Sequence, residues 1–497
     1  MKSVIGTISS WHKLKLNRTI SMVLILIAAS CFLAAGCTTT ATRSTEPAAS
    51  GQPAAQATQT AKSCIFLIGD GMGPNQVMVS DYYLKDTTGK RLTMDTIKTR
   101  GLCSTHSLDS VVTDSAAAVT ALMAGHKTNN KRINTLPDER KLYTLGQAAR
   151  DAGKSVGVVT TSRITHATPA GVYAHHKDRD AENEIGEQLV DFAPEVVLGG
   201  GYRHFIPQEQ EGSKRKDSRN LLEEVKTKGY TVVNSAAELK SVDTKKNQKL
   251  WGLFSKSHLA YEVDRVNQPQ YQNEPSLAEM TSSALEILGQ NPKGFFIQVE
   301  GARIDHACHA HDPRAAVDDT IAFDEAIKVA LDYQQKHPDT LVIVTGDHEC
   351  GGMGMGMGKE YAMNIPVLQP VKCSLEHMGR LLEKDPGKID EYISSLWGLQ
   401  LSPEEHQELH SNLTNEAKNK EVQELSGKNV ENWAHFVLSN LISQRSRVGW
   451  TSYAHTAAPV VTYAVGPGAE MFAGFHDNID IAKWVAAITK LTFKEPY

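Results

Sequence analysis

The sequence predicts an α/β protein: a three-layer α/β/α sandwich around a large, mostly parallel central sheet, with a helical subdomain inserted late in the chain. Three observations carry that expectation. Short apolar runs alternate with helix-like stretches along most of the 497 residues, the pattern of a parallel sheet covered on both faces. Two of the runs end in a glycine and then an acid, in Ile65-Phe66-Leu67-Ile68-Gly69-Asp70 and in Leu341-Val342-Ile343-Val344-Thr345-Gly346-Asp347. Acids so placed gather at the carboxyl edge of such a sheet. Between residues 360 and 450 the apolar runs give way to helix-like patterns with polar spacers.

Taken in order, the chain opens with Lys13, Lys15 and Arg18 before an apolar run from Ile20 to Leu33. With the small residues that follow, this reads as a secretory signal over residues 1–36. Its ending, Leu33-Ala34-Ala35-Gly36-Cys37, resembles the lipobox of bacterial lipoproteins, in which Cys37 is lipidated and becomes the new N-terminus. Cleavage nearby without lipid is the alternative. Thr38 is not the aspartate associated with inner-membrane retention. The expected place is therefore an exported protein, lipid-anchored to a bacterial outer membrane and facing the periplasm. Residues 37–62, rich in Thr, Ala, Ser, Gln and Pro, read as a flexible tether.

The main domain is expected over 63–359 and 451–497. Its candidate strands are Cys64 to Ile68, Ser155 to Thr160, Val196 to Leu198, Phe295 to Val299, Leu341 to Val344 and Val460 to Val465. An Ala-rich helix runs from Ala116 to Ala124 and is closed by Gly125. Within the 360–450 insert, Leu375 to Leu382, Ile389 to Trp397 and Val430 to Ile442 carry helical patterning. Its His406, His410 and His435 read as surface or packing residues. The stretch Gly352-Met353-Gly354-Met355-Gly356-Met357-Gly358 reads as a flexible loop rather than a soft-metal site.

Net charge is −5 with dispersed Lys and Arg, so no nucleic-acid binding is expected. The one short basic run, Lys214-Arg215-Lys216, reads as a solvated face. Of seven cysteines, Cys31 lies in the signal and Cys37 is the lipidation site. Cys64, Cys103, Cys308, Cys350 and Cys373 remain, so at least one is free or pairs between chains. Cys308 and Cys350 flank candidate metal ligands. A bridge between them and two unpaired buried thiols are both open readings.

The chemistry centres on Thr113-Asp114-Ser115-Ala116-Ala117-Ala118. A helix N-terminus presents free N–H groups and a positive dipole end, which suits an anion, and Ser115 there is placed to attack phosphorus. Taken alone, Asp114 and Ser115 read more readily as a plain N-cap than as a catalytic pair. Four clusters supply metal ligands: Asp70; Glu300, Asp305 and His309, with His311 and Asp312 beyond; Asp347 and His348; and His455. Carboxylates with imidazoles suit zinc, while oxygen ligands alone suit magnesium.

Together these stretches resemble the alkaline phosphatases, metal-dependent serine phosphomonoesterases. The matches are Ile68 to Gly73, Thr113 to Ala117, His166-Ala167-Thr168-Pro169-Ala170, Val299 to Asp305 with His309, Gly346 to Glu349, and Ala454-His455-Thr456. They span nearly all of the mature chain in the family's order. The resemblance implies the alkaline-phosphatase-like sandwich, two zincs and one magnesium per chain, and hydrolysis of phosphate monoesters through a phosphoserine. Asp305, His309 and His455 match the first zinc. Asp70, Asp347 and His348 match the second, which activates Ser115. Asp70, Thr168 and Glu300 match the magnesium, with Asp70 bridging two metals.

Arg179 lies where the family has its phosphate-gripping arginine, and a guanidinium can bind two phosphate oxygens at once. His306 lies where some bacterial members have a lysine near the phosphate, and His166 where they have an aspartate beside the magnesium; both histidines resemble the animal-type enzymes instead. Asp114 stands next to the expected nucleophile. Cys350 stands where several members have histidine or threonine. Inorganic phosphate is the expected product and inhibitor, and a homodimer is implied. The alternatives are a phosphodiesterase or sulfuryl hydrolase of the same superfamily, or a non-catalytic phosphate- or metal-binding lipoprotein.

Overall fold

The structure, a computed structural model, describes residues 59–411, 420, 424 and 433–497. The signal, Cys37, most of the tether and the first three residues of the expected Val430–Ile442 helix lie outside the described residues.

Fourteen strands occur among the described residues: β1 (Ser63–Gly69), β2 (Thr99–Ser104), β3 (Ser155–Arg163), β4 (Val196–Gly200), β5 (Thr231–Val233), β6 (Leu250–Leu253), β7 (Phe295–Gly301), β8 (Thr340–Gly346), β9 (Glu349–Cys350), β10 (Gly354–Met355), β11 (Val448–Gly449), β12 (His455–Thr456), β13 (Val460–Val465) and β14 (Gly474–Asp477). Ten form one sheet in the order β14-β2-β13-β8-β1-β7-β3-β4-β6-β5. Only β13 runs against the rest, antiparallel to both β2 and β8. β1 sits in the middle, parallel to β7 and β8.

Alternation along β1 splits its side chains between two cores. Ile65 and Leu67 join one apolar cluster with Val159, Ile297, Val299, Val342 and Val344. Cys64, Phe66 and Ile68 join the other with Val158, Phe296, Leu341 and Ile343. Helices cover both faces, so the sandwich is three layers deep. The first cluster continues into the helices Leu375–Lys384, Ile389–Leu396, Pro403–His410 and Trp433–Ser446 through Met378, Ile393, Leu409 and Leu438. No helix of the described residues is long and apolar enough to cross a membrane.

All six expected strands occur; four others in the sheet (β2, β5, β6 and β14) lie outside the expected set, although β6 is a fully buried apolar run, Leu250-Trp251-Gly252-Leu253. Two expectations need correction. Arg215 is not on a solvated face: it is buried, with Nη2 2.8 Å from Glu187 and 2.6 Å from Asp217. The glycine-methionine stretch is only in part a loop, because Met353 is buried and β10 pairs with β11.

Candidate active site

The carboxyl ends of β1, β7 and β8 lie side by side, with Gly69 in register with both Gly301 and Gly346. Asp70 and Asp347 follow the ends of β1 and β8, and Glu300 is the penultimate residue of β7. Three acids distant in sequence are thereby placed on one edge. The turn after β1 demands glycine: Gly71 has φ +70°, and a Cβ there would lie 2.8 Å from the Asp305 Cα.

Asp305, His309 and His455 converge. His309 Nε2 is 3.1 Å from His455 Nε2 and 3.4 Å from Asp305 Oδ2, and His455 Nε2 is 3.4 Å from Asp305 Oδ1. His309 Nδ1 lies 2.6 Å from the Tyr453 carbonyl, and His455 Nδ1 lies 2.8 Å from the Thr113 carbonyl. A carbonyl only accepts, so the proton of each neutral ring sits on Nδ1 and both Nε2 lone pairs face each other. Two lone pairs and a carboxylate meeting at one point suit a cation, and carbonyl-anchored imidazoles are typical of zinc ligands. Cys350 falls in the same group, because β9 pairs with β12 and sets Cys350 opposite His455. Glu349 secures that ribbon, accepting from Gln76, the Met353 and Gly352 amides and Thr456.

Asp70, Asp347 and His348 form a second group. His348 Nε2 lies 3.2 Å from Asp347 Oδ2, 3.5 Å from Asp70 Oδ1 and 3.2 Å from Ser115 Oγ. The third group is Asp70, Glu300 and His166, with Thr168 Oγ1 donating to Asp70 Oδ2 at 3.3 Å.

In Asp70, Glu300 and Asp347 one oxygen is anchored and the other is not. Asp347 Oδ1 accepts the amides of Gly71 and His348, and Glu300 Oε2 accepts from Thr160 and Ser162. The other oxygens, Asp70 Oδ1, Glu300 Oε1 and Asp347 Oδ2, are buried and face no hydrogen-bond donor of the protein, as is Asp305 Oδ1. Buried oxygens without donors are costly unless a cation meets them. The donor set therefore fits metal ions: nitrogen and carboxylate at the first two groups, oxygen-rich at the third.

Electrostatics agree. Without metals, burial and the neighbouring Asp347 and Asp305 hold Asp70 well above the ordinary carboxylate range. Burial pushes Asp347 up to about 7 and Glu300 up to about 8. For Asp305, burial is outweighed by His309 and His455, which hold it well below its ordinary value.

Ser115 opens the helix Ser115–Ala124, whose N-cap Asp114 accepts the Ala117 amide at 3.0 Å; Gly125 closes it in the left-handed conformation. Asp114 Oδ2 also pairs with Arg179 Nη1 at 3.1 Å. Asp114 thus caps the helix that Ser115 opens and orients the Arg179 guanidinium together. His306 lies at one side, its Nδ1 3.2 Å from Arg303 and its ring 4.3 Å from that of His258. His166 approaches both rings. His258 carries no motif and was invisible in the sequence. His311 and Asp312 stand apart from these groups: His311 stacks between Trp450 and Tyr453, and Asp312 caps the helix Pro313–Lys336. Cys308 and Cys350 are free, buried thiols, which selects the unbridged reading.

Comparison with known proteins gives the same answer as the geometry. The family model described as alkaline phosphatase matches residues 61–491. Alkaline phosphatase 4 of Bacillus subtilis is 34% identical over 441 residues, covering 86% of this chain and 89% of the relative. Streptomycin-6-phosphate phosphatase of Streptomyces griseus is 35% identical over 334 residues, covering 58% of this chain and 73% of the relative. The crystal structure of Thermus thermophilus alkaline phosphatase superposes with a TM-score of 0.81 at 32% identity, covering 91% of this chain and 97% of that one. By sequence over nearly its whole length and by fold, this chain belongs to the alkaline phosphatase family of metal-dependent phosphomonoesterases.

Proposed function

We propose that the chain hydrolyses phosphate monoesters by two displacements at Ser115, with two zincs and one magnesium as resident ions. The observation that carries this reading is Ser115 Oγ, 3.2 Å from His348 Nε2 at the head of a helix. Asp305, His309 and His455 would hold one zinc, and Asp70, Asp347 and His348 the other. Asp70, Thr168 and Glu300 would hold magnesium. When bound, such ions supply positive charge to the attacking and leaving oxygens and lower the pKa of a coordinated hydroxyl.

The chain's own residues do the rest. The helix N-terminus offers N–H groups and a favourable dipole to the phosphoryl oxygens. Arg179, steadied by Asp114, presents two donors to the phosphate. Ser115 Oγ forms a bond to phosphorus as the ester oxygen leaves and takes up a proton. Water then attacks the phosphoserine, inorganic phosphate leaves, and Ser115 recovers its proton. A relative named streptomycin-6-phosphate phosphatase supports the monoester class. The N-terminal basic and apolar stretches and Gly36-Cys37 support export and lipid anchoring to a bacterial outer membrane. Family resemblance supports a homodimer.

Acid quenching during turnover of a phosphate monoester tests the mechanism. Wild type should carry phosphate on Ser115, and Ser115→Ala should trap none while keeping its metals. Phosphate recovered on Thr113 instead would overturn the assignment. Parallel rates on a monoester, a diester and a sulfate ester should favour the monoester.

A further inference from the structure

We propose that Asp390, His406 and His410 form an accessory site for one divalent transition-metal ion, on the helical segment and separate from the catalytic groups. His406 and His410 are exposed, as the sequence leads one to expect; the proposal adds a ligand role to that surface position.

The two histidines lie four residues apart on the helix Pro403–His410, so they share a face one turn apart. Their rings stack with centroids 4.1 Å apart and planes at 27°. Both aim Nε2 at one carboxylate on the neighbouring helix Ile389–Leu396. His406 Nε2 is 3.1 Å from Asp390 Oδ2, and His410 Nε2 is 3.1 Å from Oδ1 and 3.0 Å from Oδ2. One ligand atom from each residue falls within 4.8 Å of the other two.

That spacing fits an ion. Ligand atoms about 2.0–2.1 Å from a tetrahedral zinc stand roughly 3.3 Å from one another. Two neutral imidazoles and one carboxylate give a charge of −1 for a dication to offset. Nitrogen donors select zinc, copper or nickel over magnesium or calcium. The side chains are open to solvent, 53% exposed for His406 and 36% for His410, so a hydrated ion can enter and keep water on its remaining position.

The frame is set by groups other than the ligands. Ser402 and Glu405 cap the second helix reciprocally. Arg445 ties Glu405 and the Gln400 carbonyl to the helix Trp433–Ser446. Ile389, Ile393 and Leu409 are buried in the core beneath. The ligands therefore converge without a large ordering cost, as preorganised sites require. A bound ion would pin Ile389–Leu396 to Pro403–His410.

The test is metal counting on the full chain, dialysed against zinc with magnesium present, in wild type and in His406→Ala/His410→Ala. Wild type should hold one zinc more per chain than the double variant, and mild chelation should remove that zinc first. Turnover should be the same in both. Amide exchange in the two helices should slow on zinc addition in wild type only. Asp390→Asn, which keeps the shape and one acceptor oxygen but removes the charge, should also lose the extra zinc, and it serves if the double variant misfolds. Equal zinc content in wild type and either folded variant would overturn the site and leave only an ion pair.

Discussion

Arg179 donates from Nη2 to Nε2 of His166 across 3.2 Å. A guanidinium has no lone pair to offer, so the imidazole accepts and carries its proton on Nδ1. Burial, with Arg179 and Arg163 nearby, pushes the His166 pKa down to about 3. His166 is thus a neutral ring that braces one side of Arg179 while Asp114 braces the other. Two braces leave the guanidinium little freedom, one of them on the residue before Ser115.

That bracing sets the expectation for Arg179→Ala. Charge-assisted bonds of this kind contribute about 1.5–3 kcal/mol each. The inhibition constant for inorganic phosphate should rise about tenfold or more. Metal content should not change, since Arg179 lies in none of the three candidate ligand groups. An inhibition constant equal to that of wild type would remove Arg179 from the site.

His166 shares a group with Asp70 and Glu300, where a neutral nitrogen does little for a hard cation. An aspartate would add charge and hold magnesium-bound waters. Enzyme purified without magnesium should therefore be partly inactive and recover slowly when it is supplied. His166→Asp should tighten magnesium binding about tenfold and shorten the lag. Equal magnesium affinity in both proteins, with the zinc groups filled, would show that His166 acts only on Arg179.

Much of this centre was legible because it lies where the backbone is constrained. Asp70 and Asp347 follow glycine-ended strands, and Ser115 follows its own N-cap, so each carries a local signature. What could not be read depends on contacts between distant segments. His258 sits in a Ser-Lys-Ser-His stretch without a motif, and only the fold brings it to His306. Arg303 pairs with Glu376, 73 residues on, tying the helix Arg303–His309 to the helix Leu375–Lys384. The strands β2 and β14 escaped because each contains glycine and exposed residues that break up any apolar run. The meeting of His406, His410 and Asp390 requires two helices to pack in one register, which helical patterning alone does not give.

The thiols offer a check on the centre's packing. Cys64, Cys103, Cys308, Cys350 and Cys373 are all free and buried, and burial raises each of their pKa values. Thiolate is the reactive form, so folded protein should resist alkylation. After denaturation without reductant, all five should label. Failure of Cys308 and Cys350 to label would reinstate a bridge between them.

Removing the metals should give stability a pH dependence with a definite sign. In metal-free protein, Asp347 at about 7 and Glu300 at about 8 lie above the unfolded values of 3.8 and 4.5. Groups raised in this way contribute stability that is present at low pH and lost as pH rises through the folded pKa. Below pH 6.5 the buried His348 opposes the trend, because burial and His455 hold it neutral in the fold while an unfolded histidine takes up a proton. Above 6.5 that opposition ends, and the slope comes from the raised carboxylates joined by His455, whose pKa is held above its ordinary value by Asp305 against the cost of burial. Chelator-treated protein should therefore lose stability between pH 6.5 and about 8, by at most about 1.4 kcal/mol per pH unit for each retained proton. Metal-loaded protein should show a smaller loss, because bound cations keep the centre's carboxylates ionised at every pH in the window, while Asp264 and Glu274, pushed up to about 7 by burial outside the centre, contribute equally to both forms. Denaturant titrations of both forms across that range measure it. Glu300→Gln should flatten the metal-free slope, and a slope unchanged by that substitution would place its origin outside the centre.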